Sequence, residues 1–230
     1  MKKITIGALA VLSIVAITYG AYAQRKKKPP LITKKVSSLF VLGDSQVKRH
    51  LANAFKEVFP SDAFIVRSFG LEGARPSTYL KDDSKLLKDS LVCADVVFIQ
   101  LGDNGITSKA NVSDLEREVK NLCPDATVVW GGPFKVVLPT TDSDYVNNDP
   151  DNPRNIHTYN KTKRLWIERI KEGLSEDAIF IDAYTLQESE PNTSPFSDSR
   201  DGDGVHLTYP SAERYVTMVD NLLFSNKVSS

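Results

Sequence analysis

The sequence predicts an α/β fold, a three-layer α/β/α sandwich in which a parallel sheet lies between two layers of helices. Five short apolar runs, rich in Val, Ile and Phe, are each bounded by Gly, Pro, Asp or Ser. This pattern is typical of strands that are covered on both faces. Stretches with helical periodicity lie between the runs. Strands and helices that alternate in this way form a doubly wound sheet with right-handed crossovers.

The apolar runs are the predicted strands, and they cover residues 39–42, 64–66, 96–101, 127–130 and 179–181. The apolar stripes of the predicted helices comprise Val47, Leu51, Phe55 and Val58; Leu115, Val119 and Leu122; Tyr159, Lys163, Trp166, Ile170 and Leu174; and Tyr215, Met218, Val219 and Leu222. A weaker helix is predicted between residues 79 and 91.

Two local features of the helices and two loops complete the prediction. A capping box formed by Ser113 and Glu116 is expected to open the second helix. Lys163, within an apolar stripe, is expected to extend its ammonium group to solvent. The polar segments 140–157 and 187–201 are predicted to be loops at the rim of a site.

The composition excludes several classes of protein. Of the 230 residues, 41% are apolar and 25% are charged, as in ordinary soluble globular domains. These values exclude a disordered chain, a collagen and a coiled coil. The 29 basic residues balance the 29 acidic residues, so nucleic acid is not an expected partner.

Residues 1–28 are predicted to be a signal peptide or a membrane anchor with a basic flank. Lys2 and Lys3 precede an uncharged stretch over residues 4–23 that ends in Ala-Tyr-Ala, as at a signal cleavage site. At about 1.5 Å per residue the same stretch is just long enough to cross a bilayer. The predicted tether covers residues 29–37, and one domain covers residues 38–230, exported or anchored at a membrane.

The two cysteines, Cys93 and Cys123, give no pattern of metal ligands. They show neither a CxxC motif nor a histidine at zinc-ligand spacing, so no metal site is expected. In an exported protein the two residues can form a disulfide, and two buried free thiols are the alternative.

Polar residues with catalytic chemistry follow the predicted strands at their carboxyl ends. Ser45 follows the first strand, and Gly73 lies in a glycine-rich turn after the second. Asn104 follows the third strand, and Asp203 and His206 lie between the fifth strand and the last helix. Because ligands bind beyond the carboxyl ends of strands in open parallel sheets, we expect these residues to meet at one edge.

The same residue types supply the groups that acyl transfer requires. Ser45 is the candidate nucleophile, His206 the base that takes its proton, and Asp203 the carboxylate that orients the imidazole. The backbone N–H groups of Ser45 and Gly73 and the side-chain amide of Asn104 are candidate donors to the oxyanion.

These residues resemble the four sequence blocks of the SGNH, or GDSL-type, hydrolases. Residues 40–45 resemble the first block, which ends in the nucleophile. Gly73 represents the second block, with Gly70 as a competing alignment. Residues 102–104 resemble the third block, and residues 203–207 resemble the fourth, Asp-x-x-His.

The resemblance extends over residues 39–223, with one departure. Gly105 stands where the family usually has an Asp after the block III Asn, which removes a local support of that loop. The resemblance implies a flavodoxin-like sandwich with five parallel strands, no cofactor, and hydrolysis of carboxylic esters through an acyl-enzyme.

Together these features predict a serine esterase that acts on short-acyl or carbohydrate O-acetyl esters. The expected partners are small-molecule, glycan or lipid esters, together with a membrane if the N-terminal segment is retained. Two alternatives stay open. One is a lysophospholipase or other lipid acyl hydrolase at a membrane. The other, which Gly105 favours, is a non-catalytic binding module of an envelope or virion that keeps the fold.

Overall fold

Five parallel strands form one sheet at the centre of the protein. The computed structural model describes residues 31–33, 35–59, 64–137, 156–191 and 205–224. The strands are β1 (Ser38–Gly43), β2 (Ile65–Gly70), β3 (Val96–Gln100), β4 (Thr127–Gly131) and β5 (Ile179–Ile181). They pair in the order β2-β1-β3-β4-β5, and every pairing is parallel. The predicted fold class is confirmed.

Helices pack on both faces of the sheet. They are α1 (Ala52–Val58), which continues a π-helical turn over Val47–Leu51, α2 (Pro76–Tyr79), α3 (Lys81–Ser90), α4 (Lys109–Leu122), α5 (Ile156–Gly173), α6 (Ala183–Ser189) and α7 (Tyr209–Phe224). Among the described residues, no helix is long and apolar enough to span a membrane. The apolar stretch over residues 4–23 lies outside that part of the chain.

Each face of the sheet carries its own apolar core. Along β1, Leu39 and Val41 pack in the cluster that includes side chains of α1 and α7. The alternate residues Phe40 and Leu42 pack in the cluster that includes side chains of α4, as the two-residue period of a strand requires. β1, β3 and β4 are buried along nearly their whole length, so the prediction of strands covered on both faces is confirmed for these three.

The start of α4 differs from the prediction. α4 begins at Lys109, and the side chain of its N-cap residue, Ser108, accepts a hydrogen bond from the backbone N–H of Asn111. The capping box predicted at Ser113 and Glu116 is therefore wrong. Both residues lie inside the helix, and Glu116 is buried.

The predicted loop over residues 187–201 begins too early. α6 extends to Ser189, and Gln187 is a buried helical residue whose side-chain oxygen accepts a hydrogen bond from the backbone N–H of Lys135 at 3.0 Å. In the predicted loop 140–157, the last two residues belong to α5. Residues 140–155 and 192–201 lie outside the described residues.

Cys93 and Cys123 form a disulfide, with 5.3 Å between their Cα atoms. The bond ties the segment before β3 to the carboxyl end of α4. Of the two alternatives left open by the sequence, the structure contains the disulfide.

Replacing both cysteines by serine is expected to lower the free energy of unfolding by about 3–4 kcal/mol, because the unfolded chain regains the freedom of the loop that the bond closes. Urea unfolding measures this change. The wild-type protein with a reducing agent should unfold at the midpoint of the double variant. Equal midpoints for the double variant and the oxidised wild-type protein would contradict the disulfide.

Candidate active site

The strand order creates a crevice between β1 and β3. The chain leaves β1 for β2 on one side and then crosses to β3 on the other side of β1. The loops that follow β1 and β3 therefore run in opposite directions and leave a crevice at the carboxyl ends of these strands. Ser45 lies just after β1 and Asn104 just after β3, so both candidates stand at this crevice.

Ser45 and His206 meet there. The imidazole Nε2 lies 2.7 Å from the Ser45 Oγ, across a sequence separation of 161 residues. The serine is buried and the histidine is half-buried. A ring nitrogen at this distance can take the hydroxyl proton. Asp203, the candidate partner of the other ring nitrogen, lies outside the described residues.

Gln46 holds the segment around His206 against the nucleophile turn. Its side-chain N–H donates to the carbonyl oxygen of Val205 at 3.0 Å, and its side-chain oxygen accepts from the N–H of Leu207 at 3.1 Å. These two residues flank His206, so one buried amide fixes the backbone that carries the imidazole. The sequence prediction missed Gln46, although its place beside the candidate nucleophile was a usable signal.

Asp44 links the turn after β1 to the turn after β3. One carboxylate oxygen accepts the backbone N–H of Gln46 at 3.0 Å, and the other accepts the side-chain amide of Asn104 at 3.3 Å. The carboxyl group is fully buried. Burial first, and then the negative charge of Asp103, raise the pKa of Asp44, while the hydrogen bond from Gln46 opposes this shift.

Asn104 also contacts the loop after β2. Its amide lies 3.4 Å from the carbonyl oxygen of Ala74, to which it donates. Gly73, the residue before that acceptor, is exposed and has a φ of +68°, a left-handed conformation that favours glycine. Gly70, the second candidate glycine and the last residue of β2, instead allows two segments to pack closely. A Cβ on Gly70 would lie 2.4 Å from the backbone nitrogen of Lys48, which leaves no room for a side chain.

The turn after β3 is closed by Gly102 and Gly105. The N–H of Gly105 donates to the carbonyl oxygen of Gly102 at 3.2 Å, and Gly105 has a φ of +104°. A Cβ on Gly105 would lie 3.5 Å from the indole of Trp166 on α5. Gly105, which stands where the resemblance leads one to expect Asp, thus has a left-handed backbone conformation and faces α5.

The described residues contain no group of three or more His, Cys, Asp and Glu side chains that could hold a metal ion.

Comparisons with solved structures identify the fold. A protein from Slackia heliotrinireducens assigned to the SGNH hydrolases is 15% identical, with a TM-score of 0.55 over 81% of this chain and 98% of that one. A lipase/acylhydrolase from Enterococcus faecalis is also 15% identical, with a TM-score of 0.51 over 80% and 95%. An acetyl-xylooligosaccharide esterase variant from Geobacillus stearothermophilus is 13% identical, with a TM-score of 0.56 over 84% and 97%.

No family model matches the chain, and no curated protein sequence matches it. The chain has the fold of the SGNH hydrolases, and the resemblance read from its four sequence blocks is confirmed at the level of the fold.

Proposed function

We propose that this protein is a serine esterase that hydrolyses carboxylic esters through an acyl-enzyme. The observation that carries the proposal is the 2.7 Å contact between the Nε2 of His206 and the Oγ of Ser45. A hydroxyl in contact with an imidazole is the activated nucleophile of serine hydrolases. Asp203 is the proposed carboxylate that orients the imidazole.

In the first half of the reaction, the Oγ of Ser45 attacks the ester carbonyl carbon while its proton passes to the Nε2 of His206. The C–O bond to the alcohol then breaks, and the imidazolium returns the proton to the leaving oxygen. In the second half, water loses a proton to His206 and attacks the acyl group. The acid is released as the proton returns to the Oγ of Ser45.

Both tetrahedral intermediates carry an oxyanion that needs hydrogen-bond donors. The proposed donors are the backbone N–H groups of Ser45 and Gly73 and the side-chain amide of Asn104. The position of this amide supports the proposal, because it lies beside the nucleophile turn and the Gly73 loop, where it donates to Asp44 at 3.3 Å and to Ala74 at 3.4 Å. Both of its N–H groups are engaged by these long hydrogen bonds, so the oxyanion would take one of them in place of its present acceptor.

Replacing Asn104 by Ala is expected to lower kcat about 10²–10³-fold, because one donor to the oxyanion is lost. KM should change little, since the contact forms in the transition state. Steady-state kinetics on a soluble acetyl ester give both constants. Asn121→Ala on the exposed face of α4 is the matched control and should retain wild-type activity. A similar kcat for Asn104→Ala and Asn121→Ala would exclude Asn104 as a donor.

For the substrate we propose short-acyl esters, and carbohydrate O-acetyl esters in particular. One supporting observation is the similarity in fold to an acetyl-xylooligosaccharide esterase. A second is the point at which the chain enters the domain. The backbone N–H groups of Leu31 and Ile32 donate to the carbonyl oxygens of Leu222 and Leu223 at the carboxyl end of α7.

α7 begins three residues after His206 and has 16 residues, a length of about 24 Å. The N-terminal segment thus joins the domain at the end of α7 that is remote from Ser45. If that segment anchors the protein, its point of attachment to the domain is remote from the crevice, which favours soluble or polymeric esters over membrane lipids.

We also propose that the protein is exported or anchored on the outer side of a membrane. The disulfide between Cys93 and Cys123 supports this location, since disulfides persist in oxidising compartments. The basic and apolar pattern of the first 28 residues supports it independently.

A phosphonate that reacts with activated serines tests the proposed chemistry. We expect one adduct on the purified full chain, located at Ser45 by peptide mass spectrometry and absent from His206→Ala.

A series of esters from acetyl to palmitoyl tests the substrate class, and we expect the acetyl ester to give the highest kcat/KM. A preference for palmitoyl would favour the lipid hydrolase instead. No adduct on folded protein would favour the binding module.

A further inference from the structure

A buried ion pair lies directly behind Asn104. Lys163 of α5 and Asp103 form a salt bridge in which the side chains are 0% and 3% exposed. The ammonium group also donates to the carbonyl oxygen of Phe134 at 2.8 Å, and the N–H of Phe134 donates to the Asp103 carboxylate at 3.2 Å. The expectation that Lys163 extends to solvent is therefore wrong, because its charge is paired inside the protein.

Two further α5 side chains contact the same turn. The hydroxyl of Tyr159 donates to the backbone oxygen of Asp103 at 3.1 Å, and the indole of Trp166 lies against Gly105. The two rings meet edge to face, with 5.9 Å between their centroids. Tyr159, Lys163 and Trp166 therefore hold the residues on both sides of Asn104 from one face of a helix.

Stability alone is a poor explanation for this pair. Removing two charges from water has a large desolvation cost, and apolar replacements of buried ion pairs are often neutral or stabilising. The position of the pair suggests another role, because Asp103 is adjacent in sequence to the amide that is proposed to bind the oxyanion.

The charges around Asp44 also support a role for Lys163 at the turn that carries Asn104. Burial and the charge of Asp103 raise the pKa of Asp44, whereas the charge of Lys163 lowers it. Lys163 thus favours the ionised form of Asp44, the form in which both oxygens accept hydrogen bonds. One of these oxygens accepts the side-chain amide of Asn104.

We infer that Lys163 is a positioning residue, which acts through Asp103 to hold the Asn104 amide where it meets the oxyanion. The inference rests on the proposed esterase function and extends it to a side chain that does not touch the substrate. Gly105 has no carboxylate that could support the turn carrying Asn104. In this protein Lys163 supports that turn from α5, through its ion pair with Asp103.

The test is a double-mutant cycle between Lys163→Met and Asn104→Ala in the full chain, with kcat and KM measured on a soluble acetyl ester. In the wild-type background, Lys163→Met is expected to lower kcat about tenfold or more, since small displacements of a catalytic donor are costly. KM should stay within about twofold. In the Asn104→Ala background, the same substitution should change kcat less than about twofold, because its target is gone.

Lys120→Met is the control. Lys120 pairs with Glu116 and Asp177 near the carboxyl end of α4, away from the crevice, and its loss should leave kcat unchanged. A kcat of Lys163→Met within about twofold of wild type would overturn the inference. An equal loss in both backgrounds would also overturn it, because Lys163 would then act independently of Asn104.

If Lys163→Met alone does not fold, the double variant Asp103→Asn/Lys163→Met takes its place, since it leaves no unpaired buried charge. In all variants kcat is expressed per site labelled by phosphonate at completion, so that only folded molecules count. A wild-type protein without ester hydrolysis would overturn the proposed function and this inference together. An active wild-type protein with an unaffected Lys163 variant would overturn the inference alone.

Discussion

Ser45→Ala is expected to lower kcat by at least about 10⁴-fold, because alanine has no oxygen with which to form the acyl-enzyme. His206→Ala should cost a similar factor, since the Oγ of Ser45 would keep its proton. The double variant should be no worse than either single variant, because nucleophile and base act as one unit. Initial rates on an acetyl ester, followed with enough enzyme to detect residual turnover, give all three values.

His50→Ala is the control for the histidine. His50 lies five residues after Ser45 and its ring meets that of Tyr209 edge to face, outside the proposed catalytic group. Its substitution should leave kcat near the wild-type value. Multiplicative losses in the double variant would contradict the proposed unit, and a fully active Ser45→Ala would place the hydrolysis elsewhere.

The sheet was predictable from sequence because its central strands are buried on both faces. β1, β3 and β4 each contain a run of three or four consecutive apolar residues, and such runs are typical of parallel sheets. The short helices α2 and α6 were not predicted, since four and seven residues hold too few turns for apolar periodicity. The start of α4 was misplaced because Ser108 and Ser113 are both plausible caps by composition.

The contact between Ser45 and His206 was predictable for a different reason. In a parallel sheet the residues after each strand return to the same edge, so chain order alone brings the candidates together. The supports of the site were not predictable. Gln46 and Lys163 act on segments that lie 159 and 60 residues away, and no local pattern in the sequence reports such a pairing.

Lys163 shows why this part of the site needs a structure. By periodicity it occupies an apolar stripe of α5, where a lysine normally extends its charge to solvent. Its burial depends on the carboxylate of Asp103 and the carbonyl oxygen of Phe134, which come from two other segments. The role of Lys163 beside the turn that carries Asn104 therefore follows from tertiary contacts and not from its place in the helix.

Asp203→Asn is expected to lower kcat about 10⁴-fold while leaving the fold intact, because an amide can stabilise the wrong tautomer of the imidazole and cannot compensate its positive charge. The Nε2 of His206 faces Ser45, so a carboxylate that orients the ring must meet the Nδ1. The phosphonate should still label Ser45 in this variant, but far more slowly, and the rate of labelling can be measured without substrate turnover.

Asp201→Asn is a matched control, since the same residue type occurs two positions earlier in Asp-Gly-Asp-Gly. Only the second of these aspartates has the Asp-x-x-His spacing to His206. A large loss in Asp203→Asn together with normal activity in Asp201→Asn would assign the orienting carboxylate to the fourth block. The reverse result would move this role to Asp201. Equal small losses would mean that His206 is oriented by a group other than these carboxylates, and the proposed triad would be wrong.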